Sequence, residues 1–362
     1  MSATSLPLTI ITGFLGSGKT TLLNGLLKDS RLERTAVIVN EFGEIGLDHL
    51  LVESAMDQMM LLDNGCLCCT VRGDLVDTLL DLLRRVEAEE IPAFDRVMVE
   101  TTGLADPAPI VQTLATSEAV AERFHLHAVV TTVDGINGAD TITEYPEARA
   151  QAAMADLLLV TKTDRPEANP ARVSAALASL NPTAPRVAVS GGIVDPAVII
   201  ELGRAADHLA MEDAGNPDAE DHVHDGACGH DHDHDHGHHH GHDHAHGSVH
   251  GFDIQSVSLV LDEDMDWETL AGWLDWILAL RGADILRVKG IVQPKGFDRP
   301  VLIHGVQHVF FPPTEMGDWP DEDRRSRLVV IARDIPATAL KASLASYRAN
   351  RAALDAPISV PA

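Results

Sequence analysis

Leu8-Thr9-Ile10-Ile11-Thr12-Gly13-Phe14-Leu15-Gly16-Ser17-Gly18-Lys19-Thr20-Thr21-Leu22-Leu23 decides how this 362-residue chain is read. Residues 8–12 are apolar and β-favouring, and the residues after Lys19 suit a helix. Between them, Gly13-x-x-x-x-Gly18-Lys19-Thr20 has the spacing of a phosphate-binding loop in its proper strand-then-helix setting. The chemistry requires these residue types. Gly13, Gly16 and Gly18 let the backbone curl so that N–H groups point at phosphate oxygens. The helix N-terminus adds its positive dipole end. Lys19 is placed to reach the β- and γ-phosphates, and the Thr20 hydroxyl to ligate Mg²⁺. Gly13, Leu15, Gly16, Ser17, Gly18, Lys19, Thr20 and Thr21 are thus the expected contacts to a nucleoside triphosphate.

Bulk properties narrow the rest. The length suffices for two domains with cores, and 45% hydrophobic residues is ordinary for a globular protein. No run approaches the roughly 18 apolar residues of a membrane span. The N-terminal apolar stretch belongs to the phosphate-loop strand and has no basic leader before it, so no signal peptide is expected and the cytoplasm is the expected address. A formal charge of −28 argues against nucleic acid or an anionic membrane as partner. Three of the four cysteines fall in Cys66-Leu67-Cys68-Cys69, and clustered thiols read as metal ligands rather than a disulfide framework.

Further buried strands are expected at 35–39, 59–62, 96–100, 128–133, 157–160 and 186–189, with helices at 20–27, 72–86 and 196–209 and one starting at Asp106-Pro107. Strand 96–100 ends in Glu100, followed by Thr101-Thr102-Gly103. A hydrophobic strand ending in a carboxylate is the form of a Walker B element, making Glu100 a Mg²⁺ holder and, with Lys19 and Thr20, part of the expected catalytic set. Strand 157–160 leads into Thr161-Lys162-Thr163-Asp164. A carboxylate there accepts hydrogen bonds from both N1–H and the exocyclic amine of guanine, which adenine cannot offer. Thr161, Lys162 and Asp164 therefore favour GTP over ATP, with Ser190-Gly191-Gly192 placed as a second base-contacting loop. Alternating strands and helices imply an α/β fold with a doubly wound, mostly parallel sheet and ligands at its carboxyl edge.

Residues 214–251 differ in kind. They contain no Lys or Arg and hold most of the histidines, including His230, His232, His234 and His236 in alternation with Asp. Such a segment cannot bury a core and is expected to be a disordered linker with many weak metal sites. Beyond it, strands at 256–261, 285–291, 301–309 and 327–332 with helices at 267–280 and 336–347 predict a small α+β domain, helices on one face of an antiparallel sheet. His304 and His308 read as structural or partner-facing. The expected division is 1–213, 214–251, 252–350 and a tail at 351–362.

The run from Gly13 to Leu22, Asn40-Glu-Phe-Gly-Glu44, Gly65-Cys-Leu-Cys-Cys69, Glu100-Thr-Thr-Gly103, Thr161-Lys-Thr-Asp164, Leu286-Arg-Val-Lys-Gly290 and His304-Gly-Val-Gln-His308 together resemble the CobW-type GTPases over nearly the whole chain. The resemblance implies a P-loop GTPase serving as metallochaperone for zinc or cobalt, with client metalloproteins as partners and a homodimer admitted. Some relatives have an acid where this chain has Val39, so a ligand borrowed from that position is absent. The cysteines fit that role unaided: three thiolates within four residues can hold Zn²⁺ at about 2.3 Å and leave a fourth position open for transfer. Glu44 is a candidate additional oxygen ligand. The loops around 40–48 and 100–106 are the expected γ-phosphate sensors. Two other readings stand beside this one: a metal buffer whose nucleotide site is regulatory, and a nickel-insertion accessory GTPase. The C-x-C-C placement and the C-terminal segment weigh against the latter.

Overall fold

A computed structural model describes residues 5–40, 59–61, 67–71, 75–202, 254–262, 265–320 and 322–355. Among these, the first unit is an eight-stranded sheet of β1 (Leu6–Gly13), β2 (Thr35–Asn40), β3 (Met59–Leu61), β4 (Leu67–Val71), β5 (Arg96–Thr101), β6 (Phe124–Asp134), β7 (Leu157–Thr161) and β8 (Arg186–Ala188). Their order is β3-β4-β2-β5-β1-β6-β7-β8. Every pairing is parallel except β3 with β4. Helices α1 (Lys19–Leu26), α2 (Leu75–Glu87), α3 (Ala108–Thr116), α4 (Glu118–Ala121), α5 (Gly138–Glu144), α6 (Pro146–Met154), α7 (Pro170–Leu180) and α8 (Ala197–Ile200) complete it.

The double winding follows from the period-2 geometry of strands. Ile10, Ile38, Val97, Val99, Val129 and Leu158 pack into one apolar cluster with α2, α3, α6 and α7. The alternate residues Ile11, Val37, Met98, Ala128, Val130 and Leu157 pack into another with α1 and α8. Both faces are covered, which is why the strands read as continuous apolar runs.

The second unit holds β9 (Ile254–Val260), α9 (Trp267–Arg281), β10 (Ile285–Val292), β11 (Val301–Val306), β12 (Val309–Phe310), β13 (Thr314–Glu315), β14 (Arg327–Arg333) and α10 (Ala337–Asp355). Its six strands form an antiparallel sheet, β12-β11-β10-β14-β9 with β13 on β11. One face buries α9 and α10 around Trp273, whose indole N–H donates to Ser343 Oγ at 3.0 Å. The other face sends Leu286, Val306, Val329 and Ile331 into the core cluster of the first unit. The two units thus share a continuous apolar core.

A charged group sits within that shared interface. Arg287 is fully buried, donates to the Met154 carbonyl at 2.7 Å and pairs with Asp156. Burial alone would raise the Asp156 carboxyl, but Arg287, His304 and Lys289 together outweigh it and hold the group well below the usual carboxylate range. Burial, with Arg287 adding to it, pushes the Lys289 ammonium down to about 8. His304 stacks on Phe311 at 4.9 Å, lies 3.9 Å from Asp156, and is pushed by burial down to about 4. This agrees with the structural reading of His304.

An imidazole held neutral in the fold but titrating near ~6.5 when unfolded destabilises the protein as pH falls. The contribution is fully present above pH 6.5 and is lost between there and about 4, at up to about 1.4 kcal/mol per pH unit. His304→Asn should flatten this part of the pH profile relative to wild type. Urea unfolding of both metal-free proteins at several pH values in that range checks it, and parallel profiles would refute it.

Several sequence expectations shift. The helix expected over 72–86 is described over Leu75–Glu87, residues 72–74 lying outside the described residues. The strand expected over 301–309 is a tight hairpin of β11 and β12, with Gln307 at φ 49° making the turn. The helix expected over 196–209 is described only as Ala197–Ile200 and a following turn. Cys68 and Cys69, for which no strand is expected, belong to strand β4, whose Leu-Cys-Cys-Thr-Val run is compatible with a paired strand. Residues 203–253, including the whole His-rich segment, lie outside the described residues.

Candidate functional site

The phosphate loop is built from three left-turning glycines and a clamp of hydroxyls. Gly13, Gly16 and Gly18 have φ of 142°, 71° and 93°, a region that L side chains rarely adopt. A Cβ on Gly13 would lie 2.3 Å from Thr132 Oγ1, so the loop closes directly onto β6. Ser17 Oγ meets Thr132 Oγ1 at 2.7 Å, Thr101 Oγ1 donates to Thr12 Oγ1 at 2.9 Å, and Thr161 Oγ1 donates to the Ser17 carbonyl at 2.7 Å. These bonds fix the loop before any ligand arrives. Leu15 and Thr21 lie exposed on either side of it.

Lys19 is buried, and its ammonium folds back to donate to the carbonyls of Gly13 at 2.8 Å and Phe14 at 3.2 Å. Burial lowers its pKa, and Glu100 partly opposes this. Glu100 lies opposite Ile11 of β1 and Val39 of β2 in the sheet register. Its Oε1 accepts the Thr20 hydroxyl at 2.5 Å, while its buried Oε2 has no partner among the described residues. Burial raises the Glu100 pKa against the opposing effects of Thr20 and Lys19. An unsatisfied buried carboxylate oxygen beside a threonine hydroxyl is an oxygen donor pair suited to a hard cation.

At the neighbouring strand end, Thr161 braces the phosphate loop. Lys162, in a left-handed conformation at φ 55°, donates to Asp134 at 2.7 Å. A non-glycine residue at positive φ is characteristic of functional sites. Asp164 Oδ1 accepts the Gly191 N–H at 2.9 Å, which lowers its pKa, and Thr163 Oγ1 lies 2.9 Å from Ser190 Oγ. The structure therefore joins the Asp164 loop to Ser190-Gly191-Gly192. Gly192 also lies tight on α1: a Cβ there would meet Thr21 at 2.8 Å.

Sequence reading missed Asp134 and Gln151. Asp134 ends a buried strand just as Glu100 does, and that same signal could have found it. Gln151 is concealed in Ala148-Arg-Ala-Gln-Ala-Ala-Met-Ala155, where small residues give no helical period. Both line a cavity of about 330 Å³ together with Phe14, Ser17 and Tyr145.

Cys66, Glu44, His230, His232, His234 and His236 lie outside the described residues. Cys68 and Cys69 lie in β4, paired in register with Val37 and Ile38 of β2. Among the described residues, no three His, Cys, Asp or Glu side chains gather to hold a metal ion.

Comparison with known proteins agrees with this architecture. The profile of the CobW/HypB/UreG nucleotide-binding domain matches residues 7–188, and that of the cobalamin synthesis protein CobW C-terminal domain matches residues 254–348. The chain is 30% identical over 341 residues to the zinc chaperone YjiA of Escherichia coli, covering 94% of this chain and 98% of that one. It is 33% identical over 367 residues to the zinc chaperone CobW of Pseudomonas aeruginosa, covering 92% and 89%. The crystal structure of the Zn(II)-bound YjiA GTPase from E. coli superposes with a TM-score of 0.71 at 29% identity, covering 96% of this chain and 100% of that one. With its phosphate loop, strand-end carboxylate and C-terminal antiparallel sheet, the chain belongs to the CobW/HypB/UreG family of P-loop GTPases, in the form that carries the CobW C-terminal domain.

Proposed function

We propose that this protein is a GTP-hydrolysing zinc metallochaperone. GTP is cradled by residues 13–21, with Lys19 leaving its backbone carbonyls for the β- and γ-phosphates. Mg²⁺ is held by the Thr20 hydroxyl and Glu100, and neutralises phosphate charge when bound. Asp164, supported by the loop at 190–192, selects guanine. Cys66, Cys68 and Cys69 hold the zinc cargo as thiolates, with Glu44 as an additional oxygen donor, and His230, His232, His234 and His236 belong to a weaker loading tract. Cobalt is the alternative cargo for the same ligands. The zinc-chaperone names of relatives aligned over nearly their full length support zinc. No Gln follows Gly103, so unassisted turnover is slow and hydrolysis releases metal to a client docked on the C-terminal domain.

One observation carries the coupling of metal to nucleotide. Strand β4, with Cys68 and Cys69, pairs with β2, and β2 pairs with β5, which ends at the Glu100 site. At about 4.8 Å between neighbours, the thiol-bearing strand runs only about 10 Å from the strand of the Mg²⁺ carboxylate. In the register Cys69 lies level with Val99 and Cys68 with Met98, one and two residues before Glu100, so a shift in the shared ladder reaches both sites.

Zinc affinity, read by competition with a chromophoric chelator, should differ between the GDP and non-hydrolysable GTP-analogue states by about 5- to 150-fold. GTP affinity must change by the same factor on zinc binding, because the coupling is reciprocal. Equal zinc affinity in the apo, GDP and analogue states would overturn nucleotide-driven release and leave a metal buffer.

A further inference from the structure

Helix α6 touches the nucleotide-sensing loop and the C-terminal sheet within a single turn. Gln151 is fully buried, and its Nε2 donates to the carbonyls of Gly103 at 3.2 Å and Ala105 at 2.9 Å. Three residues on, the Met154 carbonyl accepts from Arg287, which also pairs with Asp156 just beyond the helix end. At 1.5 Å rise per residue, these two attachments are about 4.5 Å apart along the axis.

The turn between them is fixed from several sides. Residues Ala152, Ala153, Met154 and Ala155 are fully buried. Asn181 Nδ2 donates to the carbonyls of Ala152, Ala153 and Ala155, and Thr131 Oγ1 donates to that of Gln151. A close-packed segment held this way transmits a displacement rather than absorbing it. The Gly103 segment is pressed against the phosphate loop on another side. A Cβ on Gly103 would lie 2.8 Å from both N and Cα of Leu15. The backbone just after Glu100 is thus clamped between the phosphate loop and Gln151.

We propose that Gln151 is a positioning residue for GTP hydrolysis and that Arg287 of the C-terminal sheet sets its position through α6. One amide holding two carbonyls fixes the Gly103–Leu104 and Ala105–Asp106 peptide planes, and with them the N–H directions of Leu104 and Asp106 in the segment that follows the Mg²⁺ carboxylate. A client docking on the C-terminal sheet would then alter hydrolysis through Arg287, α6 and Gln151. The inference rests on the GTPase reading above, and its test separates the two.

Gln151→Glu is isosteric and removes the donor; Asp156→Asn keeps an acceptor for the Val129 N–H but removes the charge facing Arg287. Two quantities are read in the wild type, both single variants and the double variant: steady-state GTP turnover, and amide exchange over residues 102–106. In Gln151→Glu, kcat should fall about 10- to 100-fold, as for a small misplacement of a reacting segment. GDP affinity should stay within about threefold, because GDP has no γ-phosphate for the loop to sense. Exchange over 102–106 should quicken about tenfold while β1 and β6 keep their protection. Asp156→Asn should shift both readouts in the same direction, and the double variant should be no slower than Gln151→Glu alone.

Unchanged kcat and unchanged exchange in Gln151→Glu would overturn the positioning role. Equal losses of GDP affinity and kcat would reduce it to a folding role, and additive effects in the double variant would refute the link to Arg287. A wild type without GTP turnover would remove the GTPase reading, and exchange would still judge the clamp. Should Gln151→Glu fail to fold, Gln151→Met, which lacks both donor and charge, takes its place.

Discussion

Lys19→Ala will lower GTP turnover by about 10²- to 10³-fold, the loss typical of one preorganised electrostatic donor, while leaving the melting temperature equal to or above that of the wild type. The first half follows from position: the ammonium is held in the phosphate loop at Gly13 and Phe14, with no acidic hydrogen-bond partner among the described residues. The second half follows from the direction of its pKa. Burial favours the neutral form of Lys19, so the charged form is held at a cost to folding that the Glu100 field offsets only in part. Removing that charge removes the cost. Glu100→Gln should behave alike, because burial also raises its carboxyl and its Oε2 has no partner among the described residues. Turnover assays and thermal melts of the nucleotide-free proteins check both statements. A Lys19→Ala protein that hydrolyses GTP normally would sink the assignment, and one that melts much lower would mean that Lys19 is mainly a structural brace.

Cys68→Ser and Cys69→Ser will each abolish tight zinc binding, whereas deletion of residues 214–247 will reduce the number of weakly held ions and leave the tight site in place. Loss of an outer hydrogen-bond partner of a metal ligand already weakens binding by about 10- to 100-fold, so loss of a thiolate itself should exceed about 100-fold. The two regions also differ in their response to acid. Neutral imidazole and thiolate are the binding forms, so both release metal as pH falls, and the His tract should empty around ~6.5. Chelator competition and metal counting on the three variants provide the test. A deletion that abolishes tight binding while both serine variants retain it would place the functional metal site in the His tract.

The nucleotide site was legible because phosphate recognition is local. A glycine-rich turn, its lysine and its threonine lie within eight consecutive residues, and their neighbours already show the flanking strand and helix. Glu100 and Asp164 were legible because each closes or follows an apolar strand in an α/β chain, where strand ends share one edge. The two-sided burial of the first sheet and the half-buried alternation of the second were likewise visible as continuous and alternating patterns. The short strand β13 and the helices α5 and α6 carry weak periods and were not, while α7 was missed although Val173, Leu177 and Leu180 fall at helical spacing after an Asn169-Pro170 start.

By itself the sequence determined the phosphate loop, the family resemblance, the main strands of both sheets and the metal-ligand chemistry available, since each depends on residue types at short spacing. Tertiary structure alone decided which distant residues meet. Thr161 braces the phosphate loop from 144 positions away, and Lys162 reaches back to Asp134. Gln151 reaches the loop after Glu100, and Arg287 meets Met154 and Asp156 across the shared core. No spacing rule encodes such contacts, because they arise only when a parallel sheet gathers its strand ends and a second sheet closes over α6. A fully buried arginine reads in sequence like any surface charge until packing removes the water around it.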